Sequence, residues 1–519
     1  MAPVFAHAGF AMSELVTKIY GPPGTGKTTR LTAVANRAAQ LVGPDQLCAI
    51  TFTRAGADEI KQRIAVSLGM PVPPDPWQRR KLLDARLPWV GTIHSLAYKL
   101  IGRPPTLRAA DLTEFIARMG GRASGMLQDV DAQEGYAWAE PGRDEVEAAL
   151  AVISGARHRM IGLLEAYDKM PWGYQGPTVS PERVEFIARA YADFKQQTGR
   201  IDFEDMLELG QSERPPAQVF LVDEVQDNSP LLWSVTDAWT AGHKTYLAGD
   251  PYQAIYLFSG AAPDLFINHT GTLYPLGDSR RLTARASEAA QRVLREAGVL
   301  EGQWLGTWTG TGAGEQTDGS EFYLARTNRL LHGVYQDLED EGTPYGYMRG
   351  GGPLKQKAAS GFRTLMQLRR TGGAPASAVS SLVEECESSY LPQGLKARMR
   401  ALAKADPDML LGPETLPSLE AGALGLKHAR YYERVLSRHG PRAFVLEPSV
   451  RVGTIHAAKG KEADTVHLVS SWGTLPYRSA TSSAEGALAE GCVAYVALTR
   501  HRVALHLIPG DEGIPYPGF

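Results

Sequence analysis

The chain has 519 residues, 43% hydrophobic and 21% charged, with a formal net charge of −3. That length exceeds a single compact core and predicts about two to four domains. The near-neutral balance excludes a basic protein that coats nucleic acid nonspecifically, while leaving room for a local basic groove. Cys48, Cys386 and Cys492 are too scattered for a disulfide framework or a zinc or iron–sulfur site. With no apolar run of membrane length and no export signal in residues 1–20, a cytoplasmic protein without membrane contact is expected.

Residues 14–20 (ELVTKIY) predict a short strand running into a glycine-rich turn and a helix through about Gln40. LCAITFT (47–53) and WVGTIHS (89–95) predict the second and third strands. Across 102–180 Gly, Pro and Arg rise, and the segments read as helices joined by loops. This is an insertion, after which PERVEFIARAYADFKQQ (181–197) leads back to the core as a helix. QVFLVDE (218–224) and KTYLAGD (244–250) are apolar runs ending in acid or glycine, as parallel strands do where a ligand binds. After about residue 272 a second series begins, with strands expected at 321–327 (EFYLART), 450–457 (VRVGTIHA) and 464–470 (DTVHLVS). A helical insertion rich in Ala, Leu and Arg, 351–445, separates them. The repetition is architectural, an α/β core given twice.

GPPGTGKTTR (21–30) fits G-x-x-x-x-G-K-[ST] between a strand and a helix. Gly21, Gly24 and Gly26 let backbone N–H groups face a phosphate without Cβ clashes, and Thr25 and Thr29 complete the loop. Lys27 suits the β- and γ-phosphates, and the Thr28 hydroxyl suits Mg²⁺. At the end of the fourth strand Asp223 is a second candidate metal ligand, and Glu224 a candidate for polarising the attacking water. Alone, this acidic pair equally suits capping of the helix that follows. Beside a phosphate loop roughly two hundred residues upstream, the hydrolytic reading prevails. Together these features define a nucleoside triphosphatase and nothing narrower.

The remaining segments resemble, in order and wording, the UvrD/Rep-type superfamily 1 DNA helicases. ITFTRAGADEIKQRI (50–64) is similar to motif Ia, VGTIHSLAYKLI (90–101) to motif Ib, and IDFEDML (201–207) to a short acidic motif. LVDEVQD (221–227) matches DExQD, LAGDPYQAIYLFSGA (247–261) resembles motif III, and YPLGDSRRLT (274–283) more loosely motif IV. FYLARTNRLL (322–331), VGTIHAAKGKEADTVHLV (452–469) and AYVALTRHR (494–502) are similar to motifs IVa, V and VI.

The resemblance implies an α/β protein with two RecA-like P-loop domains, each with a parallel sheet and a mainly helical insertion. Domain 1A is expected at 1–103 and 181–271, 1B at 104–180, 2A at 272–350 and 446–519, and a shortened 2B at 351–445. Gln253 is implied to sense the γ-phosphate, since an amide both donates and accepts. Arg281, or Arg280 beside it, and Arg500 are implied to act as arginine fingers from the second domain. Arg280 also occupies the place of a base-stacking aromatic. Glu462 is expected near the nucleotide sugar or γ-phosphate, or else is a solvated helix-start carboxylate. Gln226 and Asp227 are expected to couple the catalytic strand end to motif III and the other domain.

For the track, Phe52, Tyr256 and Phe258 match base-contacting aromatics, and Thr53, Arg54, Thr92, His94, Thr454 and His456 suit phosphate oxygens. Residues 1–18 hold no counterpart of the family's adenine-reading glutamine, and Ser259 stands where an arginine is usual. The implied activity is ATP- and Mg²⁺-dependent 3′–5′ movement on single-stranded DNA with duplex unwinding, in replication, repair or recombination. A monomer or weak self-associate acting at single-strand/duplex junctions, with replication or repair proteins as partners, is expected. Rival readings are a translocase that strips bound proteins, a motor subunit for a nuclease, a small-molecule P-loop enzyme and a non-catalytic nucleic-acid module. The last two sit poorly with two α/β cores and with intact Lys27, Asp223 and Glu224.

Overall fold

The computed structural model describes residues 15–123, 144–170, 178–298, 308–312, 318–510 and 513–516. The sequence reading of residues 1–14 lies outside them. The chain divides into two compact units, Met1–Ala313 with Arg478–Val496 and Gly314–Tyr477 with Ala497–Phe519.

The first unit is built on six strands: β1 (Val16–Tyr20), β2 (Leu47–Thr51), β3 (Val90–Thr92), β4 (Val219–Val222), β5 (Lys244–Gly249) and β6 (Thr272–Pro275). They pair in the order β3-β2-β4-β5-β1-β6, every pairing parallel. All of β2 and β4 is buried, which is why LCAIT and VFLV are continuous apolar runs rather than alternating ones. Leu31, Ala35 and Ala38 of the Lys27–Val42 helix pack with Ile19, Leu221 and Ala248 of the sheet in one core.

Two expectations fail here for local reasons. The third strand stops at Thr92, because its hydroxyl accepts a bond from Ser95 N at 3.3 Å and caps a helix beginning at Ile93. Thr272–Pro275, expected to open the second domain, instead pairs with β1 from Thr17↔Thr272 to Tyr20↔Pro275. It takes up the ladder of β1 on the side opposite β5, and the chain through the Ala284–Glu296 helix stays with the first unit.

The helical piece has its own core. Leu112, Phe115 and Ile116 pack with the Glu145–Arg159 helix and with Val184, Ile187, Tyr191 and Phe194 of the Pro181–Thr198 helix. That last helix, expected to belong with the sheet, therefore joins the helical layer: its apolar stripe meets Phe115, whose ring lies 5.2 Å from Tyr191 and 5.3 Å from Phe194. Glu145–Arg159 is buried from Val146 to Ser154 on every face, so it is the centre of this layer.

The second unit carries five parallel strands: β7 (Glu321–Ala325), β8 (Tyr345–Tyr347), β9 (Val450–Thr454), β10 (Ala463–Val469) and β11 (His501–Ile508). Their order is β8-β9-β7-β10-β11. Residues 351–445 are mainly helical, with helices Lys357–Thr371, Ala376–Glu384, Leu395–Ala405 and Ala429–His439. They do not form a separate core, because Phe362, Leu365, Tyr431 and Tyr432 pack in one cluster with Leu338, Tyr345 and Val452. Among the described residues no helix is long and apolar enough to cross a membrane.

One ion pair gives the first unit a pH signature. His269, just before β6, stacks on Trp233 with centroids 5.5 Å apart, and its Nε2 lies 3.2 Å from Asp237 Oδ1. The hydrogen bond to Asp237 raises the imidazole above its ordinary value, although burial opposes it. A raised histidine stabilises the fold below its unfolded pKa, and that contribution disappears as pH rises through the folded one. His269→Gln should therefore lower the melting temperature at pH 5.5 and leave it nearly unchanged at pH 8.5; equal losses at both would show that the pair carries no charge-dependent stability.

Candidate active site

Three adjacent strands, β4, β5 and β1, aim their C-terminal ends at the same place. Gly21, the residue after β1, donates N–H to Gly249 O at 3.5 Å, tying the glycine-rich loop to the end of β5. Gly24 and Gly26 have φ of 78° and 86°, and the Lys27–Val42 helix starts from Gly26 with no side-chain cap. Uncapped N–H groups at a helix start suit an anion. Lys27 is buried, its Nζ donating to Gly21 O at 2.6 Å and Pro22 O at 3.4 Å, so the ammonium lies inside the loop. Thr25 Oγ1 donates to Pro22 O at 2.8 Å, and Thr29 is exposed at the helix start.

Thr28 Oγ1 lies 3.4 Å from Asp223 Oδ2. Burial, with Glu224 adding to it, pushes the Asp223 carboxyl up to about 7 against the pull of Lys27. A hydroxyl and a carboxylate beside a phosphate loop form the partial oxygen set on which Mg²⁺ is held with substrate phosphates and water, so these residues fit that ion. Glu224 has φ 56°, a left-handed backbone that a non-glycine residue adopts at a cost of about 1–3 kcal/mol.

Gln226 is fully buried and uses both ends of its amide. Its Nε2 donates to Glu224 Oε2, and its Oε1 accepts from Asp250 N at 3.0 Å. Asp250, immediately after β5, then gathers three donors: Gln253 Nε2 at 2.8 Å, Tyr495 OH at 3.1 Å and Tyr252 N at 3.1 Å. A continuous polar chain thus runs from Glu224 through Gln226 and Asp250 to Gln253. Gly249 makes it sterically feasible, since a Cβ there would stand 2.6 Å from Gln226 Oε1. Asp227 is also fully buried, in the turn Val225–Asp227.

Arg280 and Arg281, expected in the second domain, belong to the first unit and lie against the phosphate loop. Ser279 Oγ donates to Pro23 O at 2.7 Å, Arg280 N donates to Gly24 O at 3.0 Å, and Arg281 Cβ is 2.6 Å from where a Cβ on Gly24 would stand. The added strand β6 delivers them there.

Six residues past Asp250 the same loop carries the first of two clustered aromatics. Tyr256 stacks on Phe52 at 5.6 Å and 20°, and meets Phe258 edge-on at 6.2 Å. All three rings are half-buried. Thr53 caps the Arg54–Ser67 helix, accepting from Gly56 N at 3.1 Å, and Arg54 is exposed on its first turn. The His94 ring sits edge-on to Phe203 at 5.9 Å, and burial, with His158 adding to it, pushes its pKa down to about 4.

In the second unit Arg500 is buried, with Nη2 3.0 Å from Thr499 Oγ1 and Nη1 3.4 Å from Lys461 O. Glu462 meets Arg502 at 3.5 Å. Thr454 accepts from Ala457 N at 3.3 Å, and His456 opens the short turn His456–Ala458.

Sequence reasoning missed Asp250, Tyr495 and the role of IDFEDML. Asp250 was visible as the polar end of an apolar strand. Tyr495 gave no signal within its apolar helix. The acids of IDFEDML face the helical layer, where Arg157 bonds to both oxygens of Asp202 at 3.0 Å and to Asp205 at 2.6 Å.

The family model described as the UvrD/REP helicase N-terminal domain matches residues 7–273, and the UvrD-like helicase C-terminal domain matches residues 431–510. The chain is similar to the ATP-dependent DNA helicase UvrD2 of Mycobacterium tuberculosis (strain ATCC 25618 / H37Rv), 25% identical over 569 residues covering 93% of this chain and 75% of that protein. It is 24% identical to the ATP-dependent DNA helicase PcrA of Staphylococcus aureus (strain Mu50 / ATCC 700699), over 63% of this chain and 45% of that protein. It is also 24% identical to the RecBCD enzyme subunit RecB of Mycobacterium tuberculosis (strain ATCC 25618 / H37Rv), over 54% of this chain and 30% of that protein.

The polar chain is open to a double-mutant cycle. Gln226→Ala and Gly249→Ala should each slow nucleotide hydrolysis about tenfold, the cost of breaking a buried hydrogen bond. Because both act on one contact, the double variant should be little slower than either single one; multiplicative losses would show that Gly249 serves something other than the Gln226 amide.

Proposed function

Because the chain belongs to the UvrD/Rep family of ATP-hydrolysing DNA helicases, we propose that it walks single-stranded DNA from 3′ to 5′ and separates duplex ahead of it. The observation that supports this reading is the continuity of one short segment. Glu224, Gln226, Asp250 and Gln253 are joined by hydrogen bonds, and Tyr256, stacked on Phe52, follows three residues later. A change at the γ-phosphate is thereby tied to a surface of aromatic faces, which is what stepping along a flexible strand requires.

In this reading the glycine-loop amides and Lys27 bind the triphosphate, and Glu224 orients and deprotonates the attacking water. Thr28 and Asp223 would hold Mg²⁺, which would supply neutralisation of the phosphate charge. Gln253 sits at the end of the polar chain as sensor. Phe52, Tyr256 and Phe258 take the bases, while Thr53 and Arg54 take phosphates. Single-strand/duplex junctions are the substrate, in replication, repair or recombination.

Single-stranded DNA should raise ATP hydrolysis strongly. Glu224→Gln should reduce it about a hundredfold or more while sparing DNA binding. Strand displacement should occur on duplexes with a 3′ overhang and fail on blunt or 5′-overhang ones. Displacement from 5′ overhangs alone would reverse the direction, and hydrolysis indifferent to every nucleic acid would remove the motor reading.

A further inference from the structure

The Glu145–Arg159 helix ends in three consecutive residues that each hold a different part of the first unit. Arg157 is enclosed by Asp202, Asp205 and Glu208, all within 3.0 Å. His158 is buried, with Nδ1 3.0 Å from Ser229 Oγ and Nε2 3.5 Å from Glu204 Oε1, an oxygen that also accepts from Ser154. Arg159 Nη2 donates to Phe258 O at 2.6 Å, and its Cγ lies 3.1 Å from where a Cβ on Gly260 would stand.

The two far ends of this grip matter. Ser229 caps the Pro230–Thr240 helix, accepting from Leu232 N at 3.4 Å, and stands two residues after Asp227 in the segment that begins at Asp223 and Glu224. Phe258 is the outer ring of the aromatic cluster. A second strut runs parallel to the first, Ala262 N donating to Asn228 O at 2.9 Å. His158 and Arg159 are adjacent on the last turn of this helix, which is buried on every face from Val146 to Ser154.

We propose that His158 and Arg159 are positioning residues that carry the state of the aromatic loop to the Asp223–Asp227 segment, so that the helical insertion sets how strongly DNA accelerates hydrolysis. This rests on the motor reading above. A base entering the aromatic cluster moves the Phe258 carbonyl, which pulls on Arg159. His158, one residue back on the same turn, moves the Ser229 cap and with it the backbone leading to Gln226. Neither side chain touches nucleotide in this scheme. Both act on the ratio of stimulated to basal rate, not on the basal rate.

The test uses the full chain with a single-stranded oligonucleotide as probe. Arg159→Met keeps the aliphatic stem and loses the guanidinium; His158→Leu removes both ring nitrogens; His158→Asn keeps a polar nitrogen toward Ser229. Basal hydrolysis, maximal DNA-stimulated hydrolysis, half-activating DNA concentration and melting temperature are measured for each. Arg159→Met and His158→Leu should lose about tenfold in the stimulated rate, matching the loss of one buried hydrogen bond to a charged or ring donor, with basal rate within about twofold. His158→Asn should recover most of the stimulation, and the double variant should be no worse than the weaker single one. A stimulation ratio kept by both single variants, or basal and stimulated rates falling by one common factor, overturns the proposal while leaving the motor reading in place. An unsubstituted protein that no DNA stimulates overturns the motor reading and this proposal with it.

Discussion

An amide offers a donor at one end and an acceptor at the other, and Gln226 has both committed inside the protein. Its N–H end holds the Glu224 carboxylate, and its oxygen holds the backbone N–H of Asp250. Neither a carboxylate nor an ammonium can do both, which explains an amide among acids. The constraint propagates outward. β4 and β5 must be neighbours so that their ends lie one amide apart, and Gly249 must lack a side chain where that amide passes. Glu224 must take a left-handed backbone to turn its carboxylate toward Gln226. Asp250, once fixed, sets Gln253 and Tyr495.

The second organising feature is a buried cluster of charge where the helical layer meets the sheet. Arg157 pairs with Asp202, Asp205 and Glu208 from an element far back in the chain, and Lys195 pairs with Asp202 and Asp205 from the preceding helix. Burial, with Glu204 adding to it, raises the Asp202 carboxyl above the usual range against the pull of Arg157 and Lys195. Glu204 goes the other way: burial would raise it, but His158, Arg157 and Ser154 hold it well below the usual range. Such a cluster adds little net stability over apolar packing, while breaking it by removing one partner would leave a buried charge uncompensated.

Much of the site was legible because its chemistry is local. A glycine loop with Lys27 and Thr28, and a strand ending in Asp223 and Glu224, are short contiguous patterns whose meaning depends on residues a few positions apart. Arg280 and Arg281 were misplaced because their segment resembles its motif only loosely, and the edge strand that brings them to Gly24 is only four residues long. Pro181–Thr198 was assigned to the wrong layer since a helical stripe states that one face is buried, not against what.

By itself the sequence determined the α/β class, eight of the sheet strands and the candidate phosphate-loop and strand-end groups, while the strands Thr272–Pro275, Tyr345–Tyr347 and His501–Ile508 were not read from it. What it determined follows from side-chain chemistry at short spacing, where backbone geometry leaves few alternatives. Only the tertiary structure decided which strand lies beside which. That order places Gln226 between Glu224 and Asp250, puts Tyr495 on Asp250 and sets three residues of one helix end against three parts of the first unit. The physical reason is that such contacts join residues tens to hundreds of positions apart. Their partners are chosen by the packing of whole layers, and no local run of residues records that choice.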